Sequence, residues 1–278
     1  MARPLRLLAA DTTYHVTARG NGQMVIFGRD EDRRRFLAQL AQVWDSYRLE
    51  CHAYCLMHNH YHLVATTPLP NLSAAMQQLN GSYGRWWNRQ RGRTGHVFQG
   101  RFHAQLIQND RYLLSACRYV VLNPVRAGLV RSPEAWPWSS YRAMAGLTDL
   151  PQFLRDALVL RMLGGPSTDA ARARFRNFVS EPGGELHRLS PQPILGDEDY
   201  CERFKAMRGQ ADEEVPRRDR LTPPSLEGLF SGMVTRQARD AQVVLAHRLG
   251  HSLTAIAKHL QLHRSSVSKI IWRAKSRT

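Results

Sequence analysis

Cys55-Leu-Met-His-Asn-His-Tyr-His-Leu-Val-Ala-Thr66 sets two imidazoles, His60 and His62, one residue apart within an apolar run. In a β-strand successive side chains alternate between faces, so both imidazoles share one face and Tyr61 points the other way, into the core. Two neutral imidazoles side by side can share one divalent metal ion. They cannot do chemistry alone, and what else reaches that face depends on the surrounding chain.

Leu49 to Met57 predicts a strand and His58-Asn59 a turn, so His60 to Thr66 is the return strand of a hairpin, ended by Pro68 and Pro70. Thr12 to Arg19 alternates as an earlier strand, closed by Gly20-Asn21-Gly22. Between them a helix opens at Asp30, with Phe36, Leu37, Leu40, Val43, Trp44 and Tyr47 at helical spacing and Arg33, Arg34 and Arg35 towards its outer face. A second helix spans Leu72 to Gln90, its stripe formed by Leu72, Ala75, Met76, Leu79, Tyr83 and Trp86, and Phe102 to Ile107 is a fourth strand. The order predicts an α+β domain, a ferredoxin-like split β-α-β-β-α-β antiparallel sheet covered on one face by two helices. Asp110 is the N-cap candidate of a third helix, which ends near Asn123 because Pro124 pushes its predecessor out of the helical region. Tyr119 and Asn123 lie at i and i+4 on that helix, one turn apart. Trp136-Pro-Trp-Ser-Ser-Tyr141 then packs to close the domain near residue 150.

Composition narrows the partner. The chain has 278 residues, 43% of them hydrophobic, with formal charge +16 and pI near 10.5. Such a charge calls for a polyanion, and phosphate backbones are the commonest one, with a membrane surface as rival. No apolar run approaches the roughly 20 residues that span a bilayer, and Met1-Ala-Arg-Pro-Leu-Arg6 lacks an apolar signal region, so no membrane association and a cytoplasmic location are expected. Cys51, Cys55, Cys117 and Cys201 contain no C-x-x-C pair and are expected as reduced structural thiols rather than a zinc site.

From Cys51 to Pro133 the only carboxylate is Asp110, against the arginines at 85, 89, 91, 93, 101, 111, 118, 126 and 131. A two-metal phosphoryl-transfer site needs several carboxylates, so this region cannot build one. It can build a single-metal site with nitrogens from His60 and His62 and an oxygen from Asn123, leaving positions open for a phosphate. Tyr119 is then the attacking group, because a phenol of ordinary pKa ~10 is a competent oxygen nucleophile once a cation favours its ionised form. A covalent phosphotyrosine link conserves bond energy, so a strand could be rejoined without a nucleotide cofactor. A His-x-His pair or a helical Tyr is by itself most often ordinary structure. Their combination with Asn123 and the acid-free stretch favours a site.

His60-Tyr-His62 after Met57-His58-Asn59 resembles the HUH motif of single-tyrosine transposases. Arg93-Thr-Gly-His-Val-Phe-Gln-Gly-Arg-Phe102, Tyr119-Val-Val-Leu-Asn-Pro-Val-Arg-Ala-Gly-Leu-Val130 and Trp136 to Tyr141 are similar to the REP-associated branch of the IS200-like transposases. The resemblance covers about residues 5 to 145, with His58 standing where members usually have Pro. It implies an enzyme that cuts and rejoins single-stranded DNA next to hairpins through a 5′-phosphotyrosine. In it His60 and His62 are ligands of Mg2+ or Mn2+, Asn123 is the third ligand and Tyr119 the nucleophile. Such a chain could work alone or as a homodimer, with Tyr119 acting within its own subunit or across the interface.

Arg85-Trp-Trp-Asn-Arg-Gln-Arg91 suits a single-strand groove, with Trp86 buried, Trp87 nearer the surface for stacking, and Arg85, Arg89 and Arg91 following phosphates. Arg93, Gln99, Arg101 and His103 continue that expected DNA-binding surface beside the fourth strand.

Residues 1–150 are expected to form the HUH domain, 151–208 a helical packing extension with a Pro-Gly-Gly break at 182–184, and 209–224 a linker. Residues 225–278 carry a helix-turn-helix pattern: Ile256, Leu260, Leu262, Val267 and Ile270 are apolar, Ala257 is small, and Gln261 holds the turn position often taken by Gly. Arg264 to Trp272 is its recognition helix, with Arg264, Ser265, Ser266, Ser268 and Lys269 available to base edges and phosphates. The alternative to an enzyme is a catalytically silent sequence-specific DNA-binding regulator on the same fold.

Overall fold

A computed structural model describes residues 9–108, 111–164, 169–181, 194–202, 204, 225–231, 235–248 and 251–275. Asp110, the Pro-Gly-Gly break and the expected linker at 209–224 lie outside these. Four strands, β1 Thr12–Arg19, β2 Glu50–Leu56, β3 His60–Thr67 and β4 His103–Ile107, form the body of one sheet in the order β2-β3-β1-β4. Every neighbouring pair among the four is antiparallel, the arrangement a split β-α-β-β-α-β chain produces. A two-residue β5, Ile194–Leu195, adds a parallel pairing at the β4 edge.

Period two decides what each face holds. Tyr61 points to helices α1 Asp30–Tyr47 and α2 Leu72–Arg91, where its ring lies 4.8 Å from that of Phe36 and its hydroxyl donates to Asn80 at 2.7 Å. On the opposite face, α3 Arg111–Arg126 packs across the sheet, which is why β2 and β3 are buried on both sides. The two short helices α5 Ala157–Met162 and α6 Asp169–Ser180 back α3, and their Val159, Leu160, Phe175 and Val179 join the same core as the sheet. The β2 edge is covered as well. Leu56 N donates to Trp138 O, Tyr54 N to Ser140 Oγ and Trp136 Nε1 to Leu56 O, so the Trp-Pro-Trp-Ser-Ser segment, which runs into the one-turn α4 Tyr141–Met144, shields backbone groups that an edge strand would expose.

Two helical details depart from expectation. The α2 stripe continues Leu79, Tyr83, Trp87, so Trp87 is 3% exposed and Trp86 is the half-buried one. The reason is the i, i+4 step, which follows the helical period more closely here than i, i+3. The α3 helix also does not stop at Asn123 but runs through Pro124 to Arg126. Pro124 has no N–H for the Val120 carbonyl, and the Asn123 side-chain nitrogen lies 3.4 Å from that oxygen and 2.8 Å from the Tyr119 oxygen, supplying donors where the backbone lacks one.

A separate core holds the C-terminal helices α7 Leu226–Phe230, α8 Arg236–Arg248, α9 Leu253–His259 and α10 Arg264–Lys275, through Val243, Ala246, Ile256, Ala257, Val267 and Ile271. Gln261, between α9 and α10, takes φ of 52°, the left-handed conformation that makes Gly frequent at such a turn.

Asp32 ties α1 to α2. Its buried carboxylate accepts from Gly28 N and Arg29 N and pairs with Arg91 at 2.7 Å, so it caps one helix and clamps the end of the other. Replacing Asp32 by Ala leaves three donors without their acceptor. We expect a loss of about 3 kcal/mol in unfolding free energy by urea titration.

Candidate active site

The β1–β3 register sets Thr17 opposite His62 and Arg19 opposite His60, on the face beneath α3. His15 stands two residues before Thr17, hence on that same face. The His15 and His62 rings are nearly coplanar, at 7°, with centroids 5.1 Å apart and a 2.9 Å contact from His15 Nε2 to His62 Nδ1. This is an in-plane, end-to-end hydrogen bond and not a face-to-face stack. His60 lies 5.0 Å from His62 at 76°, and its Nδ1 is 2.7 Å from Asn59 Oδ1. The Asn59 carboxamide is oriented by its nitrogen, which donates to Gln23 O at 3.2 Å.

Both Nδ1 atoms of the pair are therefore engaged. His62 Nε2 is buried and has no hydrogen-bond partner. A buried unpartnered nitrogen is costly unless something else binds it. Burial, together with the neighbouring histidines and Arg19, holds the pKa of His62 well below 6.5; burial and then Arg19 lower that of His60 to about 4. Neutral imidazoles with free Nε2 lone pairs are the form a metal ion requires, so the pair fits one. Among the described residues no group of three or more His, Cys, Asp or Glu side chains forms a metal-holding cluster.

From the other side α3 brings Tyr119, whose ring lies 5.9 Å from His62 and 6.0 Å from His15, edge-on to both. Arg126, two turns later, sets its guanidinium 4.7 Å above that ring. Asn123 is half-buried one turn after Tyr119, its nitrogen donating to the Tyr119 and Val120 carbonyls. The His58 ring packs edge-on against Trp136 at 5.5 Å. The arrangement sets a phenol ring and the imidazoles of His15, His60 and His62 on one face of the sheet, with Arg126 over the phenol and Arg19 opposite His60.

The expected DNA-contacting residues divide. Arg85, Arg89, Arg93, Gln99, Arg101 and His103 are exposed. Gln99 N donates to Arg19 O, which holds the 97–101 loop alongside the end of β1. Trp87 is corrected: it is buried, with Arg91 at 4.3 Å and Arg93 at 5.9 Å over its ring, and offers no open face to a base. Arg91 is corrected too, because its charge is spent on Asp32. In the C-terminal helices Arg264, Ser265, Ser268 and Lys269 are exposed and Ser266 is half-buried. Sequence reasoning missed His15, Asn59 and Arg19. The alternation of β1 gave the parity of His15 and Arg19 but not the strand beside them.

Residues 9–123 match the family model described as Transposase IS200 like. A Haemophilus influenzae protein described as a REP-associated tyrosine transposase is 29% identical, over 38% of this chain and 66% of its own length, just under two thirds. A solved structure of a REP-associated tyrosine transposase bound to a REP hairpin aligns with TM-score 0.47 at 18% identity, over 56% of this chain and 98% of that one. The resemblance expected from the motifs is borne out over residues 9–123.

His15, with its pKa lowered to about 3 by burial and then by His103, and His52, lowered by burial, are held neutral in the same way as the pair. The unfolded chain protonates these histidines near pH ~6.5 while the folded chain resists, so stability is complete above that value and falls as pH drops towards 4. In chelator, chemical denaturation at pH 5 should give an unfolding free energy on the order of 2–4 kcal/mol below that at pH 7.5.

Proposed function

We propose that this chain, with residues 9–123 matching the IS200-like transposase model, cleaves and rejoins single-stranded DNA beside hairpin repeats through a 5′-phosphotyrosine on Tyr119. The observation that carries the reading is the convergence of the Tyr119 ring and the buried, unpartnered Nε2 of His62 on one sheet face. The phenol gives up its proton to solvent as its oxygen attacks the scissile phosphorus, the Tyr119 O–P bond forms, and the P–O3′ bond breaks to a 3′ oxygen that takes up a proton from solvent and leaves as a hydroxyl. The reverse attack by a 3′-hydroxyl reseals a strand and returns the phenol, with no nucleotide consumed. Nε2 of His60, Nε2 of His62 and the carboxamide oxygen of Asn123 would hold a divalent cation, Mg2+ or Mn2+, which when bound supplies charge neutralisation at the phosphate. Arg126 packs the phenol ring and brings positive charge to the same side.

The formal charge of +16 and the exposed Arg85, Arg89, Arg93, Arg101, Gln99 and His103 supply a track for the single strand. The pair α9–α10 serves as a helix-turn-helix for duplex or hairpin DNA, with Arg264, Ser265, Ser268 and Lys269 facing outward and Ser266 at the margin.

The decisive measurement is a suicide assay on labelled hairpin-flanked single strands with Mn2+. Wild type should give a denaturation-resistant protein–DNA adduct and Tyr119→Phe none. If wild type gives none across a broad oligonucleotide pool while still binding hairpins, the chain is a silent DNA-binding regulator. Asn123→Ala should slow cleavage by about tenfold or more, ~1.4 kcal/mol in barrier, with DNA affinity nearly unchanged. Lys269→Ala should weaken hairpin binding evenly across sequences and reduce the salt slope by about one.

A further inference from the structure

Each imidazole of the pair has one nitrogen held from behind. An uncharged imidazole carries one proton, so whichever nitrogen donates decides which is left with a lone pair. For His60 the answer follows from Asn59. Its Nδ2 donates to Gln23 O, so its Oδ1 faces His60 Nδ1 at 2.7 Å, and a carboxamide oxygen only accepts. His60 Nδ1 is therefore the donor and Nε2 keeps the lone pair.

For His62 the partner is another imidazole, which could give or take the proton. His15 is 5% exposed on β1 and its Nε2 lies 2.9 Å from His62 Nδ1 within one ring plane. Were His15 the donor, His62 would hold its own proton on Nε2, the buried atom without an acceptor. A buried N–H with nothing to receive it forfeits a hydrogen bond, whereas a lone pair there is what a cation would use.

We infer that His15 and Asn59 are the positioning residues of the pair, each fixing one ligand as its Nδ1–H tautomer so that both Nε2 lone pairs face a shared divalent cation. This rests on the metal-binding half of the proposed function. The two supports come from different elements, β1 and the β2–β3 turn. The turn is itself anchored by Gly20 N donating to Asn59 O at 2.7 Å. Gly20 admits no side chain, since a Cβ there would meet Met24 O at 2.1 Å. Both supports thus reach the pair through β1 and the residues that follow it.

The test uses the full-length protein. Long-range 1H–15N spectra of the metal-free protein read the tautomers directly: His60 and His62 should each show a protonated Nδ1 in wild type. The His62 signature should be lost in His15→Phe and that of His60 in Asn59→Ala. Mn2+ affinity measured by calorimetry should fall about 10–100-fold in each variant. His15→Gln and Asn59→Asp, which restore an acceptor, should recover most of it. Unchanged thermal unfolding and hairpin binding in chelator keep misfolding out of the comparison. A protonated Nε2 on His62 in wild type overturns the inference, as does Mn2+ affinity in both variants within about twofold of wild type. Wild-type protein with the expected tautomers but no Mn2+ binding would sink the metal reading while leaving the tautomer assignment standing.

Discussion

The antiparallel register between β1 and β3 is the constraint on which the remaining features depend. Thr17 faces His62 and Arg19 faces His60 across one pair of strands. Because side chains alternate with period two, a slip of one residue would move His15 and Arg19 to the side of Phe36 and Tyr83, and send Tyr14 and Val16 beneath α3. The apolar side chains of that face, buried against α1 and α2, make such a slip expensive. The polar row on the other face is therefore placed by hydrophobic packing on the far side of the sheet. Thr13 and Thr66 extend the row, joined at 2.7 Å between hydroxyls, and His52 reaches Thr66 at 2.8 Å, so these three satisfy one another while His62 Nε2 on the same face has no partner.

Packing α3 over that row closes it. The helix dries the imidazoles, and drying keeps them neutral. Carrying Tyr119 and Asn123 on successive turns of one rigid helix holds them in a fixed relation to each other, with Arg126 on the turn after. Pro124 would ordinarily end such a helix. Here the Asn123 carboxamide nitrogen donates to the Tyr119 and Val120 carbonyls, next to the step where the proline lacks an N–H, so this side chain helps carry the helix through Pro124.

Much of this was legible in the residues. The hairpin bearing His60 and His62, the four strands, the two covering helices and the Tyr119/Asn123 spacing all rest on local periodicity, which sequence displays directly. The reversal of Trp86 and Trp87 was not legible, because the two positions fall about 60° and about 40° to either side of the stripe continued from Tyr83, and the contact that distinguishes them, Asp32 holding Arg91 over the Trp87 ring, comes from α1. Arg91 is a basic residue in a basic run, and nothing local distinguishes one bound to a buried carboxylate from one facing solvent.

The sequence by itself determined which side chains share a face within each strand and helix, and the absence of carboxylates around the histidine pair, because both follow from spacing and count. Tertiary structure alone decided that β1 lies beside β3, that α3 crosses the histidine face, and therefore that His15 meets His62 and Tyr119 meets both. These contacts join residues 47 and more positions apart, and such neighbours are chosen by the packing of the whole sheet, on which local periodicity has no purchase.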